Sequence, residues 1–478
     1  MTLSKIWCLV ATLAIVSTLT TVNTSAQEKK DITGGMPFME RPGSSIAVRT
    51  ILLRPKQAVA NTASKLFPTQ DRIHSGNAAP IILRQNFEAN RRLEALRKFG
   101  RTDFLKVPLE QLDPVEVTNL TPIGFGDLRR AAFRERAGWE YPTGEGNQGL
   151  ADVLLPDVAE IRGSYIKAVA VRARVDVLRG NLNDAMDKIC IGLGISKHVG
   201  ETPFVVCKLN QAASASDILG PLEELIQHPA SENQYWHLAG MPAPFVDTKP
   251  AIQLETYMWE KTVTELASLD SITSAKQWDS LVEKVKFNFD SFASETGLVE
   301  KHVFKDWERL SRERLPAIWK NDNRPVASMC DSEVWVRYWH MRVQAARGEL
   351  MAWALLDFHE AIPKLLELRL KHEHELADEL PVKLVCGPPF GPSIGFVTSA
   401  ASVQQHIDLI RTIESIRDWS AKNGGKLPNT LQELDLPAPV DCILNNSFAY
   451  GLSLDGHSAT LQGAIVENRG FKYELELD

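Results

Sequence analysis

The chain has 478 residues, 44% hydrophobic, 24% charged and 8% aromatic, enough to bury a substantial core and too apolar for a disordered tail. With 53 Lys and Arg against 60 Asp and Glu it carries a formal charge of -7, which removes any global attraction to nucleic acid or an anionic membrane. Glycine at 29 and proline at 26 are ordinary frequencies and exclude collagen-like and low-complexity chains.

The first segment reads as an export signal. Lys5 precedes an apolar run from Ile6 to Leu19, followed by small polar residues to Thr24-Ser25-Ala26. The run is about 14 residues long, short of the roughly 20 that span a bilayer, and the small residues suit cleavage after Ala26. A signal peptide over 1–26 is therefore expected, with the rest periplasmic or secreted and no further apolar stretch of spanning length. Cys190, Cys207, Cys330, Cys386 and Cys442 remain, an odd set at wide spacing without a C-x-x-C pair. That is neither a disulfide framework nor a zinc site.

Residues 27–80 are rich in Pro, Gly, Ser, Thr and Asn, and a loosely structured lead-in is expected there, interrupted by the apolar run Ile46–Leu53. A helical body is expected over 81–390. Its first helix, with Leu83, Phe87, Leu93, Leu96 and Phe99 on one face, ends at Gly100. Residues 41–140 hold 13 Arg and 4 Lys against 10 Asp and Glu, a local excess that asks for an acidic partner surface, most simply the rest of the same protein.

From Ala168 to Leu193 the pattern predicts a helical hairpin, broken at Gly180-Asn181 and reopened by Asn183 or Asp184 as a cap. It resembles one tetratricopeptide unit, but the repeat of about 34 residues does not recur, so a hairpin rather than a solenoid is expected. Further helices are expected over 212–228, 252–268, 275–294 and 297–315. A long one over 331–375, kinked at Pro363, carries Trp335, Trp339, Val343, Ala346, Leu350, Trp353, Leu356 and His359 as an apolar stripe. Tryptophans at helical spacing predict core packing before a sugar-binding platform.

The tail changes character. Gly387–Pro392 reads as a rigid connector, 397–422 as a helix, and Phe448–Leu454 with His457–Leu461 around Asp455-Gly456 as a β-hairpin. The expected fold is mainly α, helical hairpins or a bundle, with a small C-terminal α+β module over 397–478.

The stretch 404–463 resembles the globular end of type II secretion pseudopilins: a helix, then Asn423-Gly-Gly-Lys-Leu-Pro428, Leu431-Gln-Glu-Leu434, a Pro439-Val-Asp441 turn and the Phe448-x-Tyr450 strand. The resemblance implies an assembly surface, with calcium at the turn a possibility carried by Asp441. Cys442 and Asn445-Asn446 depart from the pattern there, and the polymerising N-terminal helix is missing. Over its length the chain also resembles a family of exported bacterial proteins of unknown function with a helical body and this same end. The matching stretches are Arg179–Ala185, Leu222-Glu-Glu-Leu225, Tyr235–Ala239 and Met241–Asp247. That likeness implies architecture and export, and no activity.

Two clusters could carry chemistry. Gly391-Pro-Ser393-Ile-Gly395 matches the G-x-S-x-G nucleophile elbow, with Val382–Val385 as the strand before it and His406 or His457 as the base. His372-Glu-His374-Glu375 is the densest metal-like set, yet i and i+2 side chains on a helix point about 200° apart, so a solvated helix end is the better account. No phosphate loop or nucleotide fingerprint is found, and no cofactor is expected. The balance is against an enzyme and for an exported envelope protein that binds or scaffolds a protein partner. The alternatives are a serine hydrolase using Ser393 and a sugar-binding protein using exposed tryptophans.

Overall fold

The computed structural model describes residues 47–60, 66–90, 99, 103–121, 123–139, 161–262, 268–283, 303–320, 324–375, 391–466 and 470–478. The expected signal peptide, the strand over 382–385 and Cys386 lie outside these residues. In chain order come β1 (Ala47–Leu53), β2 (His74–Asn77), α1 (Ala79–Asn90), α2 (Pro114–Leu120), α3 (Phe125–Ala132) and β3 (Arg134–Arg136). Then follow α4 (Lys167–Leu178), α5 (Leu182–Val199), α6 (Val205–Gln227), α7 (Tyr235–Ala239), α8 (Lys249–Thr262), α9 (Val303–Ile318), α10 (Asp331–Ala354), α11 (Phe358–Glu375) and α12 (Gly391–Lys422). The strands β4 (Val440–Asp441), β5 (Asn446–Ser447), β6 (Ala449–Leu452), β7 (Ser458–Gln462) and β8 (Phe471–Leu477) complete the set. The protein is mainly α-helical with a small α+β end, as its periodicity predicts.

Two compact units share these elements. One gathers the described residues of 43–141, 155–248 and 398–478, and the other those of 249–397, so the grouping cuts across the sequential segments 27–80, 81–390 and 397–478.

In the first unit, α4, α5 and α6 pack mutually as a bundle, each against both others. Gly180, at φ +74, takes the left-handed turn that ends α4, a conformation a Cβ would strain. The cap of α5 is Asn181 and not the expected Asn183 or Asp184, because helical geometry begins already at Leu182. Phe99, Phe104, Leu112, Val117 and Leu120 pack against Ala168, Val171 and Val175 of α4. Arg174 ties that layer down by donating to the carbonyls of Phe104 and Val107 and forking onto Glu224.

The strand order of the main sheet is β1-β8-β7-β6. β1 and β8 are parallel, Ala47 opposite Phe471 through to Leu53 opposite Leu477, whereas β6, β7 and β8 form an antiparallel meander. The predicted hairpin is present, with Gly456 at φ +70 in its turn. Alternation follows the pleat: Ile51, Leu53, Ala459, Leu461, Tyr473 and Leu475 are buried, while Thr50, Thr460, Glu474 and Glu476 face solvent. Each fully buried aliphatic side chain contributes about 1.5–3 kcal/mol to that face. Within the described part of the lead-in, besides β1, Leu66 and Phe67 are buried and β2 pairs with β3. The lead-in's apolar run lacks a local partner and finds one in β8.

In the second unit the predicted long helix is two, α10 and α11. The break falls at Leu355–Asp357 and not at Pro363, which sits inside α11. Asp357 offers its carbonyl to the amides of Glu360 and Ala361, starting the new helix. Leu315, Met329, Val334 and Tyr338 form a core between α9 and α10. Arg337 is buried there between the rings of Trp278 and Trp319, at 5.2 and 4.9 Å, and donates to Glu333 at 2.8 Å.

Candidate functional site

Helix α12 should have a wet face. Its run from Gln404 to Ser420 alternates Ile and Leu with Gln, His, Asp, Arg, Glu and Ser, and surface helices with that composition turn the polar set outward. Instead Gln405, His406, Glu414, Ser415, Arg417 and Asp418 are all 2% exposed or less. Each of these side chains makes at least one hydrogen bond to a segment remote in sequence, which is what permits its burial.

The centre of this polar spine is Glu223 on α6. One oxygen accepts from His406 Nε2 of α12 at 2.7 Å and from the Tyr473 hydroxyl of β8, and the other accepts from Arg49 of β1. Burial pushes the Glu223 carboxyl up, but His406, Arg49 and Tyr473 outweigh it and bring it down to about 2. Burial pushes the Tyr473 hydroxyl well up, and the neighbouring Glu223 charge adds to it, so it remains a donor. Burial lowers His406, whose Nδ1 is sealed from solvent without a hydrogen-bond partner and whose ring stacks on Phe471 at 4.4 Å. The neutral imidazole therefore donates through Nε2.

A second knot lies two turns further on. Glu414 accepts from Arg417 at 2.6 Å and from the Gln234 amide at 3.0 Å, and burial raises it despite both. Arg417 also donates to the Arg54 carbonyl, and Asn233 donates to the carbonyls of Lys56 and Glu414. Towards the other end, Asp441 accepts from Gln405 at 2.9 Å and from the amides of Ile443 and Ala464 at 2.8 and 2.6 Å.

A carboxylate orienting a histidine is the pairing that enzymes use to prepare a base. Here the imidazole is 2% exposed, and the donors to Glu223 tie β1, β8 and α12 to α6. The chemistry this arrangement supplies is proton exchange coupled to packing.

The sequence candidates fare differently. Ser393 lies in the first turn of α12, 13 residues before His406 on the same continuous helix. The backbone at Gly391–Ser393 is helical, and a nucleophile elbow requires a strand running straight into the turn. His457 is exposed at the β6–β7 turn. His372 and His374 are on the last turn of α11, and Asp441 is consumed by its three donors; among the described residues no group of three His, Cys, Asp or Glu can hold a metal. Trp335 and Trp339 are buried and stacked at 6.2 Å, and Ala346 and Leu350 are buried with them, so that part of the stripe is core, whereas Trp353 is half-buried and Leu356 exposed. The basic excess of 41–140 is met internally where Arg49 pairs with Glu223, Arg54 with Asp478 and Arg129 with Asp187.

Glu223, Tyr473 and Arg49 escaped the sequence reading. The one available signal was an acidic pair embedded in the apolar Leu222-Glu-Glu-Leu225 run. Comparison with known protein families, curated proteins and solved structures finds no match.

Proposed function

We propose that the chain is an exported cell-envelope protein that binds or scaffolds a protein partner through its C-terminal α+β end. The observation that carries this reading is the distribution of apolar side chains there. Most of the sheet's large apolar side chains pack inward, yet Val440 is 51%, Leu444 56% and Leu454 fully exposed, in or beside the two turns β4–β5 and β6–β7. Among the described residues strand β6 is a sheet edge with no strand beyond it. Helix α12 followed by short antiparallel strands supports the likeness to a pseudopilin head, and the short apolar run before Ala26 supports export. Among the described residues no helix is long and apolar enough to cross a membrane.

The test is a crosslinked pull-down of the tagged full chain from its own envelope fraction, beside a Leu444→Asp/Leu454→Asp variant whose melting is unchanged. A stoichiometric partner lost with the variant supports the reading; no enriched partner for either chain overturns it. An N-terminus at Gln27 on the fractionated protein checks export.

A further inference from the structure

Most arginines sunk into the first unit end on a carboxylate. Arg162 meets Asp217, Arg174 forks onto Glu224, Arg417 meets Glu414 and Arg49 meets Glu223. Arg411 on α12 reaches its carboxylate only at long ion-pair range. Its Nε is sealed from solvent without a hydrogen-bond partner, and its nearest carboxylate oxygen, Asp408 Oδ1, is 4.0 Å from Nη2, beyond hydrogen-bond length. The Asp408 carboxylate is engaged elsewhere, accepting from Gln404 at 3.0 Å through its other oxygen. Yet the Arg411 side chain retains 25% exposure, so its head is reachable.

The surroundings are built around that head. The guanidinium sits over the ring of Tyr235, 6.0 Å from its centroid, and Tyr235 is fixed by donating to the Pro437 carbonyl at 2.8 Å. Trp236 meets Tyr235 edge-on at 5.2 Å and is 37% exposed. A guanidinium fork without a hydrogen-bond partner among the described residues, over an aromatic ring whose other ring contact is an exposed indole, matches a carboxylate carried on a peptide chain.

We infer that Arg411, with Tyr235 and Trp236, is the recognition point for a carboxylate of the partner, either an acidic side chain or a chain terminus. This inference rests on the protein-binding reading above and names its chemistry. Asp408 is the internal competitor, close enough to attract Arg411 and too far to satisfy it.

The experiment is isothermal titration of the full chain with two probes. One is a tetraglutamate peptide acetylated and amidated at its ends, and the other an acetylated tetra-alanine peptide with a free terminal carboxylate. Binding of the first alone assigns an acidic side chain, and binding of the second alone a chain terminus; either supports the inference. Arg411→Gln is expected to weaken the binding by about tenfold or more, Arg411→Lys by less, and Asp408→Asn to strengthen it. Arg130→Gln, which removes an exposed arginine elsewhere on the unit, should leave it unchanged. Absence of binding by both peptides, full binding by Arg411→Gln, or equal loss with Arg130→Gln overturns the inference. A pull-down partner retained in full by Arg411→Gln would keep the protein-binding reading and remove this site.

Discussion

Arg49 stands directly opposite Tyr473 in the parallel register of β1 and β8, and the two side chains close on one carboxylate of α6. The strand pair and the helix are thereby fastened at a single buried point, from which His406 continues the tie into α12.

Glu223→Gln keeps the shape and removes the charge. It leaves the Arg49 guanidinium without its counter-ion, facing an amide NH2 that cannot accept, while the amide oxygen still serves His406 and Tyr473. A loss of about 3–5 kcal/mol is expected, read as a lower urea midpoint at unchanged slope. Tyr473→Phe should cost about 1–3 kcal/mol, since two donors to Glu223 remain.

Acid acts on this knot with a defined sign. The folded state holds Glu223 at about 2, below its ordinary 4.5, so its contribution is complete above pH 4.5 and lost as the pH falls towards 2. Burial lowers His406, so the unfolded chain takes up the proton first, and that contribution is complete above pH 6.5 and lost on acidification. Urea midpoints of His406→Gln should fall less between pH 6.5 and pH 5 than those of the parent chain.

Asp408 has the opposite sign. Burial pushes it up to about 6 from 3.8, so its protonated form favours the folded state, and that advantage disappears as the pH rises from 3.8 through 6. Asp408→Asn is expected to raise stability by about 1–3 kcal/mol at pH 7.5 and to change it little at pH 4. Paired melts at the two pH values check it.

In the second unit, Arg337→Ala removes the cation between two indoles and exposes the buried Glu333 charge to a single remaining partner, Arg324. About 3–5 kcal/mol should be lost, seen as faster hydrogen exchange along α10.

Calcium at the β4 turn can be tested directly. Because Asp441 already accepts from Gln405 and two amides, adding calcium in place of a chelator should leave the melting temperature unchanged. Gly463→Ala should lower it, since a Cβ there would meet the Gln405 side chain at 2.6 Å and push it off Asp441.

Local patterns read well wherever the deciding contacts are local. The α4–α5 hairpin, α6, α9 and the Asp455-Gly456 turn follow from periodicity and turn chemistry within windows of about 20 residues. The parallel β1–β8 pair does not, because Ile51 and Leu475 alternate correctly on their own strands while nothing nearby indicates that each is the other's neighbour. The polar spine of α12 was illegible for a different reason. Glu414 and Arg417 look like a solvated i,i+3 pair, and only the amide of Gln234 and the carbonyl of Arg54, brought in from distant loops, make their burial affordable. His406 was noticed as a base for Ser393, but its true partner sits 183 residues earlier.

The β1–β8 pairing also sets a clock. Its partners are separated by 424 residues, and at ribosomal speeds of about 5–20 residues per second the first strand precedes the second by roughly 20–80 seconds. Throughout that interval β1 presents an open row of amides and carbonyls beside the apolar Ile51 and Leu53, the kind of edge that seeds self-association. A holding chaperone acting during synthesis would shield this segment.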